Sequence, residues 1–339
     1  MRAAMYYAND DVRIVDLPKP KIGAGEILVK VRASGICGSD VMEWYRKLKA
    51  PLVLGHEIAA EVVEVGAGVD VVKRGARVFV SHHVPCGQCR YCLAGHETVC
   101  DTLRTTNFDP GGFAEFVRVP AINVKHGFFV LPKEISNEEA VFIEPLACVI
   151  RGQRLADIRP GGTVLVIGSG VAGLLHVKLA KVAGAARIIA TDLVEYRRKT
   201  AAKSGADVVI DGRDAVPEKV REANEGHLAD HVVTCTGAPK AIAQGLASVD
   251  RGGTVLFFAP TEPSEKVEIS FNTLWREEIT LVSSYGGSPR DIREAIQLLA
   301  ERRVAVADLI THVLPLAEAA KGFHLVSQAK DSIKVVLRP

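Results

Sequence analysis

Between Ile36 and Glu57 the chain places Cys37, Ser39, Asp40, His56 and Glu57: a thiol, a hydroxyl, an imidazole and two carboxylates. Thiolate and neutral imidazole are the donors that a borderline-soft divalent ion such as zinc prefers, and an oxygen ligand can complete the set. Cys37 and His56 are too far apart to share one helix face, so a fold must bring them together. Taken singly, each would pass for a buried structural cysteine and a satisfied core histidine. The remainder of the chain argues otherwise.

A second group follows at Cys86, Cys89, Cys92 and Cys100, a C-x2-C-x2-C-x7-C run. Four thiols at this spacing can wrap one tetrahedral ion, and a closed four-thiolate shell is a structural zinc site. Iron–sulfur ligation uses related spacings and is the main rival. With four thiols available, the flanking His82, His83 and His96 are expected at the surface rather than as ligands. Further on, Ser136-Asn-Glu138-Glu139 reads as a helix cap with an acidic first turn. That helix is expected to run through Ile143-Glu144-Pro145-Leu146 and to break at the proline. A carboxylate at such a break among apolar neighbours is costly to bury without a partner, so Glu144 is a candidate acid aimed at a metal.

The third constellation is Thr163-Val-Leu-Val-Ile167, the turn Gly168-Ser-Gly170-Val171-Ala172-Gly173 and an apolar helix. The strand Arg187–Asp192 comes next and ends in an acid nineteen residues after Gly173. The first glycine allows a tight turn, the second lets backbone approach a pyrophosphate, and the third permits close helix–strand packing. The helix N-terminus supplies the anion site, and Asp192 would accept hydrogen bonds from the ribose hydroxyls of an adenosine. Asp192 would also repel a ribose phosphate and so favours NAD over NADP; Arg197 and Arg198 just beyond weaken that preference. Small residues at later strand ends, Thr236, Gly237, Ala259, Ser283 and Ser284, are expected to line the cofactor. Cys235 reads as a small core residue.

These groups need two kinds of scaffold. Residues before Gly35, Ile58–Val65 and Arg77–Val80 alternate apolar and polar residues between Gly and Pro, a strand-and-turn texture. After about residue 160, short apolar strands alternate with helices, as in a parallel sheet. An amphipathic helix through Ile292, Ala295, Ile296, Leu298 and Leu299 follows, and the closing strand Ile333–Leu337 is expected to rejoin the first domain. At 339 residues, two domains are the default.

A formal charge of +2 leaves no electrostatic footprint for nucleic acid. No segment is apolar for long enough to span a bilayer, and the N-terminus lacks the apolar core of a signal peptide. Seven cysteines without such a leader argue for a reducing, cytoplasmic setting rather than a disulfide framework. Scarce Asn, Gln and Met fit a thermophile and fit a biased genome equally well.

Gly35-Ile-Cys37-Gly-Ser39-Asp40, Gly55-His56-Glu57, the four-cysteine segment, Glu144-Pro145-Leu146 and the Gly168–Gly173 turn, in this order, closely resemble the zinc-dependent medium-chain dehydrogenase/reductase family. The likeness is greatest to its sorbitol (L-iditol 2-) dehydrogenase and threonine dehydrogenase branch, where Glu-Pro replaces a ligand cysteine of alcohol dehydrogenases. The resemblance implies an α/β fold: a GroES-like, mainly β catalytic domain at 1–147 and 286–339, with a zinc lobe at 82–104, and a doubly wound Rossmann domain at 148–285.

It further implies two zinc ions. One would be held by Cys37 and His56, with Glu57 and Glu144 exchanging or sharing the remaining duty with water, and Cys148 is a minor rival. The other would be held by Cys86, Cys89, Cys92 and Cys100. Asp40 would hydrogen-bond the far nitrogen of His56. Ser39 would take the proton of an alcohol and pass it to the nicotinamide ribose as hydride leaves for NAD+. Many relatives carry a histidine two residues after this aspartate; here Met42 stands there, which leaves Glu43 or solvent as the proton's exit. Trp44, Tyr45 and Tyr285 are expected to shape the pocket of a small alcohol, a polyol or sugar-derived one first. An amino alcohol of the threonine type, an aminocyclitol and a sugar phosphate are the alternatives, and a non-catalytic NAD-binding protein is the reading from another class. Homodimers or homotetramers formed through the edge strand near Ile279–Ser283 complete the expectation.

Overall fold

Burial in the first third of the chain goes beyond the alternation read from the sequence. In a computed structural model, which describes residues 1–339, the strand Ile27–Gly35 lies at the centre of a seven-stranded sheet and is buried along most of its length. Glu57–Val65 and Phe116–Val119 flank it, both antiparallel. Arg77–Val80 and Phe128–Val130 extend one side, and the C-terminal strands Lys334–Arg338 and Ile310–Pro315 extend the other. The inward residues, among them Ile27, Val29, Ile58, Val62, Val78 and Val117, form one core of this unit. A three-stranded sheet of Asp11–Asp16, Arg2–Ala8 and Leu52–Val53 completes it.

The chain divides into two compact units, Met1–Ala147 with Gly287–Pro339, and Cys148–Gly286. In the second unit all six strands are parallel, in the order Val208–Asp211, Arg187–Asp192, Thr163–Ile167, Ala229–Thr234, Val249–Phe257, Thr280–Ser283. Numbered along the chain this is 3-2-1-4-5-6, the doubly wound order. Thr163–Ile167 is buried throughout, because helices on both faces of a parallel sheet leave no wet side.

The helix expected from Ser136 is two helices. Ser136 does form a capping box with Glu139, but that helix covers only Asn137–Ala140. A second helix, Ile143–Leu155, then begins, with Glu144 and Pro145 in its first turn. Proline is tolerated there because a first-turn N–H has no intrahelical acceptor, so Pro145 marks a start and not a break.

Candidate active site and dinucleotide site

Strand pairing explains how Cys37 meets His56. Gly35, the last residue of Ile27–Gly35, pairs with Glu57, the first residue of Glu57–Val65. The residues just beyond each end are therefore neighbours. Cys37 caps a short 3-10 turn, Gly38–Val41: Ser39 N donates to Cys37 Sγ at 3.4 Å, and Cys37 N donates to Asp40 Oδ2 at 3.0 Å. The ligand atoms of Cys37, His56 and Glu57 all lie within 4.8 Å of one another. One tetrahedral zinc needs donors about 3.3–3.8 Å apart, so the set is nearly gathered and fits that ion.

Asp40 is fully buried and its Oδ1 lies 3.5 Å from His56 Nδ1, which leaves the imidazole's other nitrogen for a metal. Burial opposes the imidazolium, yet the Asp40 charge, its hydrogen bond and the nearby Cys37 sulfur hold the His56 pKa well above its ordinary value. Burial likewise opposes the Asp40 carboxylate, but His56 and Arg46 outweigh it and keep its pKa low. Glu57 is also buried. Its Oε2 accepts from Lys334 Nζ at 2.5 Å, with both side chains 1% exposed, while its Oε1 is buried without a hydrogen-bond partner. Gly35 makes the room: a Cβ there would come within 2.1 Å of Glu57 Oε2.

The four-cysteine segment is closed. Cys89 and Cys92 sulfurs are 3.5 Å apart, Cys100 and Cys86 3.6 Å, and Cys86 and Cys92 3.9 Å. Sulfurs around one zinc with bonds near 2.3 Å would be separated by about 3.8 Å, so the four fit such an ion and none is disulfide-bonded. His82 and His83 depart from expectation, because they are partly buried rather than surface residues in full. They follow the strand Arg77–Val80, which pairs with Glu57–Val65, and this brings the His82 ring to 4.9 Å from that of His56. Burial first, then the neighbouring positive groups, lowers both pKa values, that of His83 to about 4. His96 is exposed.

In the second unit the glycine turn has the required geometry. Gly168 has φ +92°, and Gly170 caps the helix Val171–Val182, which includes Val171, Ala172 and Gly173 in its first turn. A Cβ on Gly173 would lie 1.9 Å from the Gly168 carbonyl oxygen. Asp192 ends its strand beside this turn: Ser169 N and Val194 N each donate to its carboxylate at 2.8 Å. Arg197 reaches over Gly170, whose added Cβ would meet Nη1 at 3.7 Å, and its Nε is buried without a partner. Arg198 is engaged, with Nη2 3.0 Å from Asp211 Oδ2 and Nη1 donating to the Asp192 carbonyl. Thr236 and Gly237 follow Ala229–Thr234, Ala259 follows Val249–Phe257, and Ser283 ends the edge strand with Ser284 just beyond. All lie at the C-terminal ends of parallel strands, where ligands of doubly wound sheets bind. Burial raises the Cys235 thiol pKa, although the residue is only partly buried and lies at the edge of the core rather than inside it.

Residues 23–127 match the family model of the alcohol dehydrogenase GroES-like domain, and residues 170–301 that of zinc-binding dehydrogenases. The chain is 35% identical over 343 residues to an L-threonine 3-dehydrogenase of Caldanaerobacter subterraneus, covering 98% of this chain and 97% of the relative. It is 33% identical to a sorbitol dehydrogenase of Halalkalibacterium halodurans, covering 96% and 95%. Its structure is similar to that of a zinc-binding dehydrogenase from Sinorhizobium meliloti bound to NADP, with TM-score 0.88, 30% identity and coverage of 100% and 99%.

The chain is a zinc-dependent medium-chain dehydrogenase of the sorbitol/threonine branch.

As an enzyme of this family it uses zinc and a nicotinamide dinucleotide and acts on a small-molecule alcohol. No helix of the dehydrogenase is long and apolar enough to cross a membrane. Glu144 is not one of the three residues whose donor atoms are gathered, and neither is Cys148. Glu43 accepts from Asn9 N at 3.1 Å. Trp44 and Tyr45 lie on the helix Glu43–Arg46 with ring centroids 5.8 Å apart, and Tyr285 is exposed in the second unit.

Sequence reasoning missed Lys334 and Arg46. Lys334 carried a signal, since it is the one cation inside the apolar run Ile333–Leu337. Arg46 carried none beyond its place near Ser39.

Proposed function

We propose that this dehydrogenase oxidises a secondary alcohol bearing a polar group on the neighbouring carbon, a polyol or sugar-derived alcohol, to a ketone with reduction of NAD+. The observation that carries the proposal is the Cys37, His56 and Glu57 donor set, gathered within 4.8 Å with Asp40 behind His56. Zinc in that set would supply the Lewis acidity that makes an alcohol acidic near neutral pH, and NAD+ would accept the hydride. Cys37 and His56 hold the ion, Asp40 fixes the imidazole's tautomer, and the Ser39 hydroxyl receives the alcohol's proton. Glu57 and Glu144 are the carboxylates that share the remaining ligand duty with water; the buried, unpartnered Oε1 supports Glu57 as the nearer. Cys86, Cys89, Cys92 and Cys100 hold the structural ion.

In the second unit the Gly168–Gly173 turn and the helix N-terminus receive the pyrophosphate, with Arg197 beside them. Asp192 receives the adenosine ribose, which supports NAD+ over NADP+. Arg198 does not weaken this, because its charge is already met by Asp211. Exposed Phe271 and Trp275, next to the edge strand Thr280–Ser283, support self-association of the chain along that edge.

The L-threonine 3-dehydrogenase among the relatives favours a second reading, oxidation of an amino alcohol. A panel of polyols, cyclitols and amino alcohols, followed by NADH absorbance, separates the two. The proposal expects kcat/KM for a polyol at least about tenfold above that for L-threonine, and NAD+ preferred to NADP+. Turnover of L-threonine alone supports the second reading. Failure of every secondary alcohol to reduce either cofactor overturns both.

A further inference from the structure

Arg46, the last residue of the helix Glu43–Arg46, points its guanidinium inward, with the side chain 14% exposed. Its Nε donates to the Ser39 carbonyl at 2.9 Å and its Nη2 to the Ser39 hydroxyl at 3.1 Å. The same Nη2 is 3.4 Å from Asp40 Oδ1. The Tyr45 ring packs on the guanidinium at 4.8 Å. Neutralising the buried Asp40 would be a sufficient structural reason for an arginine. The distances point further, because the shorter contacts go to Ser39 and the contact to Asp40 is the longest of the three.

A guanidinium is permanently charged and has donors only. Ser39 Oγ is therefore fixed as an acceptor towards Arg46, so its single proton and its second lone pair remain for other partners. Met42, nearby on the same turn, offers no group that could fill this role.

We propose that Arg46 is a positioning residue for alcohol oxidation: its fork holds the Ser39 hydroxyl in one hydrogen-bonding role, and its fixed charge favours negative charge on the substrate oxygen. The inference rests on the dehydrogenase reading above. As the alcohol O–H bond breaks, its proton passes to Ser39 Oγ while the serine's own proton leaves to water. The hydroxyl is thus regenerated within the step, and the hydride passes to NAD+.

Three proteins test this: wild type, R46K, which keeps the charge beside Asp40 but loses the fork, and R46M, which loses both. Zinc content and thermal melting establish that each variant is folded and loaded. The proposal expects kcat to fall about tenfold in R46K and about a hundredfold in R46M, with KM for NAD+ changed less than twofold. Equilibrium binding supplies a readout apart from turnover. A trifluorinated alcohol, which binds with charge on its oxygen, should lose about tenfold in affinity in R46M, while a neutral amide that mimics the ketone should lose none. An R46K enzyme with wild-type kcat, or equal loss of both ligands in R46M, overturns the proposal, and Arg46 then only neutralises Asp40. If R46M does not fold, the R46K rates and its two ligand affinities decide alone. A wild-type protein inert toward every alcohol overturns the dehydrogenase reading, and this inference with it.

Discussion

The two sulfur-bearing clusters of the first unit are completed in different ways. Around Cys86, Cys89, Cys92 and Cys100 four like donors come from fifteen consecutive residues, and three of their sulfur pairs already stand 3.5–3.9 Å apart. Around Cys37 and His56 the donors differ, come from the adjoining ends of two antiparallel strands, and include a carboxylate whose second oxygen belongs to Lys334. An ion held by the first arrangement would have no open position and could only stabilise. On the proposed reading the second would leave a position for a substrate oxygen, and its surroundings, Asp40, Arg46, Ser39 and Lys334, are polar groups with partners specified one by one. A closed site is written in local spacing. An open one is written in tertiary contacts.

Removing one sulfur from each cluster is the strongest test of this contrast. C37S is expected to lower kcat/KM by about a thousandfold or more and to reduce zinc from about two ions per chain to one, with melting little changed. C92S is expected to lose the other zinc and to destabilise the segment 86–100 by several kcal/mol, seen as rapid proteolytic nicking there. Equal effects of the two substitutions on melting would erase the distinction.

Much of the site was legible because its signals are local. Cys86–Cys100 and Gly168–Gly173 are spacings within single segments, and Asp192 follows at a distance fixed by one strand–helix–strand unit. Glu144-Pro145 misled because a proline in a first turn and a proline in a helix interior look alike without knowing where the helix begins. His82 and His83 misled because burial came from a strand pairing that spacing does not show. The Lys334–Glu57 pair spans 277 residues, and no pattern along the chain announces a contact at that separation.

That pair offers the next sharpening of the contrast. K334M leaves a buried carboxylate without its counter-charge, and urea denaturation should show a loss of about 3–5 kcal/mol. E57Q/K334M should recover a large part of it. Recovery would show that Lys334 serves Glu57 and not the strand packing around it.

The effect smallest near neutral pH comes from His176 in the second unit, a buried histidine outside both clusters. Gln153 Nε2 lies 3.3 Å from its Nδ1, and its ring meets that of Phe258 edge-on. Burial pushes its pKa down to about 3, so on acidification the unfolded chain takes the proton first. Its contribution is therefore whole above about pH 6.5 and is lost progressively as the pH falls towards 3, by at most about 1.4 kcal/mol per pH unit. H176Q should flatten the pH dependence of the urea midpoint between pH 6 and 4 by about one proton's worth.

Dialysis of the purified protein against a chelator, with zinc and NADH formation measured on the same samples, tests the central claim most directly. One zinc of about two per chain should leave first, and alcohol-dependent NADH formation should fall in proportion and return when zinc is restored. Full activity after that first ion has gone would contradict the account.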